Sequence, residues 1–110
     1  MWNCEESRVR VGEEDDLFRA IWGSRARYKI WWLLIFVDGE TGEMRYVSTL
    51  SSAPTWLRQL HSLVSSLKRE GARLLLFAVW HGSHRTDAFL VDPDRFLKEV
   101  EEHVLEEQGA

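Results

Sequence analysis

YKIWWLLIFV, Tyr28 to Val37, followed by the turn DGETG and by EMRYVSTL up to Leu50, decides the fold. An apolar run closed by an Asp-Gly turn and answered by a more mixed segment reads as a β-hairpin. The amphipathic stretch PTWLRQLHSLVSSLKREG (54–71) comes next, and the succession is then run again. Its second pass is RLLLFAVW (73–80), the turn HGSHR (81–85), TDAFLVD (86–92) and PDRFLKEVEEHVLEE (93–107). The two units share a layout but hardly any residues, so the repetition is architectural rather than an internal duplication.

Working outward, the spacing predicts a helix from Thr55 to Arg69, with Trp56, Leu57, Leu60, Leu63, Val64 and Leu67 on one side and polar residues on the other. Asp92 before Pro93 is a helix start, a capping carboxylate followed by a residue whose missing N–H is harmless there. Upstream, Glu13 to Trp22 carries acidic residues in its first turn, the stripe Leu17, Phe18, Ile21, Trp22, and Gly23 at its end, which predicts a short helix. Residues 1–12 read as a flexible arm with a short edge strand at Arg8 to Val11. Residues 13–110 read as a single α/β domain, a sandwich of order α-β-β-α-β-β-α in which a mixed sheet carries helices on its faces. The runs 28–37 and 73–80 are almost continuously apolar, which predicts central strands buried on both faces; 43–50 and 86–92 alternate more and belong further out.

The 110 residues are 45% hydrophobic and 29% charged, ordinary for one folded domain. The formal charge of −4 is evenly spread, each half carrying 7 Lys/Arg against 9 Asp/Glu, so the chain lacks the basic arm of a strong nucleic-acid binder. The longest apolar run, Ile30 to Val37, is under half of the roughly 20 residues a membrane-spanning helix needs. No signal peptide is legible in the first sixteen residues, and the lone Cys4 can form no internal disulfide. Both features predict a cytoplasmic protein without a membrane partner.

The richest polar cluster is the turn from Trp80 to Asp87. His81, His84 and Asp87 could converge on Zn or Mn, although an exposed hairpin tip collects such residues merely by being solvated. His81, His84 and Arg85 could equally donate to phosphates, together with Arg58, His61 and Arg69 on the polar side of the 55–69 helix. The turn Asp38 to Glu43 holds three carboxylates and two glycines but lacks calcium-loop spacing, so a plain hairpin turn is expected. His61 beside Ser62 and Ser65 lacks the nucleophile elbow and orienting acid of a hydrolase. Six tryptophans stand at positions 2, 22, 31, 32, 56 and 80. Trp31 and Trp32, consecutive in a strand, must point to opposite faces, so that one can lie under a helix and the other in an interface.

The stretch Thr55 to Glu102 resembles the C-terminal half of archaeal Holliday-junction resolvases and other restriction-endonuclease-like proteins, in its helix, apolar strand, turn, second strand and Asp-Pro helix start. The resemblance implies a divalent-metal site built on an Asp and a Glu-x-Lys. Glu43-Met44-Arg45 falls near the Glu-x-Lys position, with Arg for Lys, and no acidic residue occurs between Ser24 and Val37 to supply the Asp. Arg cannot deliver or accept a proton as Lys can, so the implied active site is degenerate. The order of elements also looks like roadblock-type and longin-type interaction domains, which dimerise and scaffold without chemistry.

The expected function is therefore binding, to nucleic acid or to a protein partner, by a homodimeric and non-catalytic nuclease-like protein. The alternatives are a divalent-metal nuclease using Glu43 with Asp87 or the histidines, and a roadblock-like scaffold. No cofactor is expected; Mg or Mn enters only with the nuclease alternative.

Overall fold

The computed structural model describes residues 9–23, 30–50, 54–81 and 86–105. Its elements run β1 (Val9–Gly12), α1 (Glu14–Gly23), β2 (Ile30–Val37), β3 (Met44–Leu50), α2 (Pro54–Arg69), β4 (Arg73–His81), β5 (Thr86–Val91) and α3 (Pro93–Val100). The last helix is prolonged by a π-helical turn at Glu101–Leu105. The α/β class and the order expected from sequence are those observed, and the short edge strand lies at Val9–Gly12.

The five strands form one mixed sheet in the order β1-β5-β4-β2-β3, antiparallel throughout except for the parallel pair β1 and β5. β4 and β2, the two continuous apolar runs, are neighbours within the sheet, as expected. Local chemistry closes each connection. Asp38 Oδ1 accepts from the backbone N–H groups of Glu40 at 2.7 Å and Thr41 at 3.2 Å, and Gly42 takes a φ of 71°. Those two N–H groups hold the Asp38 carboxyl below its ordinary pKa. At the end of α2, Gly71 has a φ of 83° and donates to the Lys68 carbonyl while Ala72 donates to Leu67, satisfying carbonyls the helix leaves free. Asp92 accepts from Asp94 N at 3.0 Å and caps α3 ahead of Pro93.

The core lies between the sheet and all three helices. Register puts Trp32 beside Ala78 and Phe89, and Leu34 beside Leu76 and Val91, on one face of the sheet. Leu17 and Phe18 of α1, Leu57, Leu60 and Val64 of α2, and Phe96 and Val100 of α3 bury onto those same residues. Trp32 meets Phe96 edge to face at 5.3 Å. Phe89 lies so close over Gly12 that a Cβ there would stand 2.4 Å from its ring, which explains the glycine in β1.

The helices are therefore gathered on one face instead of being shared between two. The Cα envelope of 43 × 39 × 19 Å agrees, its short axis holding one helix layer on one sheet. The expectation that β2 and β4 are buried on both faces is corrected accordingly: the alternate residues of both strands are apolar except at the two ends of β4, yet nothing in the described chain covers them.

The helix layer is stitched along the α1–α3 seam. Arg95 stacks over the Phe18 ring at 5.1 Å, pairs with Asp15, and reaches Glu14 at 3.5 Å and Glu99 at 3.6 Å. The hydrogen bond to Asp15 raises its pKa further. Trp22 Nε1 donates to Glu99 Oε2 at 2.8 Å, and the Trp22 ring lies flat on His103 at 4.6 Å.

Candidate functional site

Strand register places four largely apolar rows opposite the core, and the positions of Thr86 and His81 continue that face beyond them. Trp31, Val79, Ala88 and Val11 form one row across β2, β4, β5 and β1. Ser48, Leu33, Phe77 and Leu90 form the next, Tyr46, Ile35 and Leu75 the third, and Met44, Val37 and Arg73 the last. Ser48 and Arg73 are the only polar side chains in these rows, and Arg73 sits at a corner.

Consecutive residues measure the contrast between the faces. Trp31 is 50% exposed and Trp32 1%; Leu75 is 51% and Leu76 0%; Leu90 is 56% and Val91 1%. At the margins Met44, Tyr46 and Val11 are more open still. Single exposed apolar residues are unremarkable, but a contiguous face of them marks an interaction surface. The sequence pointed to such a face through Trp31 and Trp32, one of which was expected in an interface, but did not show that all three helices would gather on the other side.

The residues singled out from sequence are dispersed. Glu43 is exposed beside β3 and accepts from Arg45 Nη2 at 2.9 Å, an ion pair that raises the arginine's pKa. Register sets Met44 beside Val37, Val37 beside Arg73, and Asp87 beside Trp80. Glu43 and Asp87 thus occupy opposite ends of the sheet, about 26 Å apart along the strands at ~3.3 Å per residue. That separation denies them a shared metal ion. Gly82 to Arg85 lie outside the described residues, so the turn roles expected of His84 and Arg85 lie there too, and only the backbone of His81 is described. Among the described residues, no group of three or more His, Cys, Asp or Glu side chains could hold a metal ion.

His61 is held against the prolongation of the last helix. Its Nε2 lies 3.1 Å from Glu101 Oε1 on the neighbouring helix, with the side chain 13% exposed. Lys68 pairs with Asp94 in the same seam. Arg58 is partly buried, and Arg69 is exposed with Nη2 at 3.4 Å from Ser66 Oγ. Arg58, His61 and Arg69 thus lie along α2, with His61 taken up by Glu101. Trp31 and Trp32 do face opposite ways; Trp32 belongs to the core and is closed to partners, which leaves Trp31 for an interface.

A concavity of about 510 Å³ lies between α1 and α3 and is bordered by Trp22, Arg95, Glu99 and His103. Its charged groups already satisfy one another, which suits a structural seam. No helix among the described residues is long and apolar enough to cross a membrane. No protein-family model, curated protein or solved structure matches the chain.

Proposed function

We propose that the protein is a non-catalytic binding module that engages protein through the helix-free face of its sheet. The carrying observation is that contiguous face, four apolar rows with one cation at a corner. Protein partners suit it better than nucleic acid, because phosphate contacts need cations and Arg58, His61 and Arg69 lie on α2, across the sheet from it. The expected homodimer falls within this reading as one form of protein docking. A cytoplasmic setting agrees with the lone Cys4.

Site-specific photo-crosslinking tests the reading. A photoreactive residue at Leu75 or Leu90, installed in the full chain in its host cell, is expected to give protein adducts, and one at the exposed Glu102 is not. Equal labelling from all three positions, or adducts to nucleic acid alone, contradicts the proposal. Incubation of branched, single-stranded and duplex DNA with Mg or Mn is expected to give no cleavage, and Glu43→Ala to change nothing; cleavage abolished by Glu43→Ala would restore the nuclease alternative.

One observation favours a second reading. Trp31, Tyr46 and Phe77 place three aromatic rings on the open face, and such rings can stack on single-stranded bases. Binding of that kind would weaken steeply as salt is raised, so titration of a fluorescent oligonucleotide from 50 to 300 mM salt (order-of-magnitude conditions, about the range in which phosphate contacts are lost) separates it from protein docking.

A further inference from the structure

We infer that the occupant of the open face is a second copy of the chain, docked sheet on sheet about a two-fold axis. The inference rests on the reading of that face as the working surface and goes on to name what binds it. The five strands contain 34 residues. At ~3.3 Å per residue and ~4.8 Å between strands they project to roughly 540 Å² before side-chain relief is counted. That lies at the upper end of the roughly 300–600 Å² of the largest apolar patch on a typical monomer, a size that often marks a functional surface, and relief carries it toward the ~800 Å² per partner of a standard specific interface.

Charge selects a copy of the same surface. A chain of net charge −4 repels its own kind over most of its exterior, yet the four apolar rows contain no carboxylate and carry Arg73 at a corner. Two such faces can meet without like charges opposed, and a two-fold axis through the centre near Leu33 and Phe77 matches apolar rows to apolar rows. Sheets stacked this way sit ~10 Å apart with their strands crossing at about 30°, the geometry of a β-sandwich core. Pairing through the free edge of β3 would extend the sheet but leave both open faces wet, and so cannot account for them.

Light scattering on the full chain after gel filtration tests the dimer. Wild type is expected at twice the 12.9 kDa chain mass. The double variant Leu75→Glu/Leu90→Glu, at two positions exposed in the isolated chain and so tolerable to its fold, is expected to run at the single mass, its dissociation constant raised at least ~30-fold. The matching Leu75→Lys/Leu90→Lys variant is expected to be monomeric alone and to recover the double mass when mixed with the glutamate form, a rescue that misfolded chains would not show. A wild-type chain that stays monomeric at several hundred micromolar (roughly the range needed to detect a weak interface) overturns the self-docking while leaving the face open to another protein. A dimer that survives the double substitution overturns both, because it must use a different surface.

Discussion

The two faces of this sheet are almost alike in composition and opposite in environment. Trp32, Leu34, Leu76, Ala78 and Val91 lie under three helices, and Trp31, Leu33, Leu75, Phe77 and Leu90 lie under none. The difference shows that hydrophobicity within a strand reports that a surface will be covered, without reporting by what. Intramolecular cover needs helices, and the supply of helices is spent on one side.

Truncation of neighbouring residues should break the comparison most visibly. Leu76→Ala leaves a cavity in the core and should cost 2–5 kcal/mol (order of magnitude), read from the denaturation midpoint at concentrations too low for association. Leu75→Ala under the same conditions should cost well under ~1 kcal/mol, since its side chain is half in water already. The next pair sharpens this. Trp32→Ala should lose about 3–5 kcal/mol and Trp31→Ala very little. Trp32→Phe should be milder than its lost volume suggests, because the buried Trp32 Nε1 finds no hydrogen-bond acceptor and phenylalanine removes that orphan donor. Equal costs within either pair would mean that the open face is folded against the chain itself.

What could be read in advance follows from this asymmetry. Signals local to the chain were legible: the Asp38-Gly39 hairpin, the Asp92-Pro93 cap, and the stripes Leu17/Phe18 and Leu57/Leu60/Val64 all occur where expected. Period-2 burial was illegible in Ile30 to Val37 because both phases are apolar, so an exposed face and a buried one look identical there. The parallel pairing of β1 with β5 joins residues 9–12 to 86–89, too far apart for any local cue. The partner of His61 was illegible for a related reason. A helical wheel shows where α2 is polar, but Glu101, 40 residues later, is what folds over that side.

Concentration gives the next test. If copies dock face to face, the melting temperature of wild type should rise with protein concentration and that of Leu75→Glu/Leu90→Glu should not, since mass action stabilises only a state that associates. A smaller and concentration-independent effect is expected in the helix layer. Glu99→Ala removes the acceptor of the partly buried Trp22 Nε1 bond and one contact of Arg95, and should cost about 1–2 kcal/mol in both wild-type and monomeric backgrounds. A Glu99→Ala cost that grew with protein concentration would place that seam in the interface as well.

The turn at Asp38 belongs to neither face and supplies the smallest effect. Its carboxylate accepts two backbone N–H bonds, first from Glu40 and then from Thr41, and these favour the ionised form. The folded-state pKa is lowered, so the unfolded chain takes up the proton first as pH falls. The contribution is then fully present above the unfolded value near ~4 and disappears as pH drops through the lowered folded value. Asp38→Asn keeps an acceptor oxygen but removes the titration. Urea midpoints of wild type and Asp38→Asn should therefore differ slightly at neutral pH, converge as the solution is acidified below about pH 4, and do so identically at every protein concentration. A convergence that shifted with concentration would mean that the hairpin tip, at the Met44 and Val37 end of the open face, is drawn into the dimer, and would move the two-fold axis away from Leu33 and Phe77 toward that end.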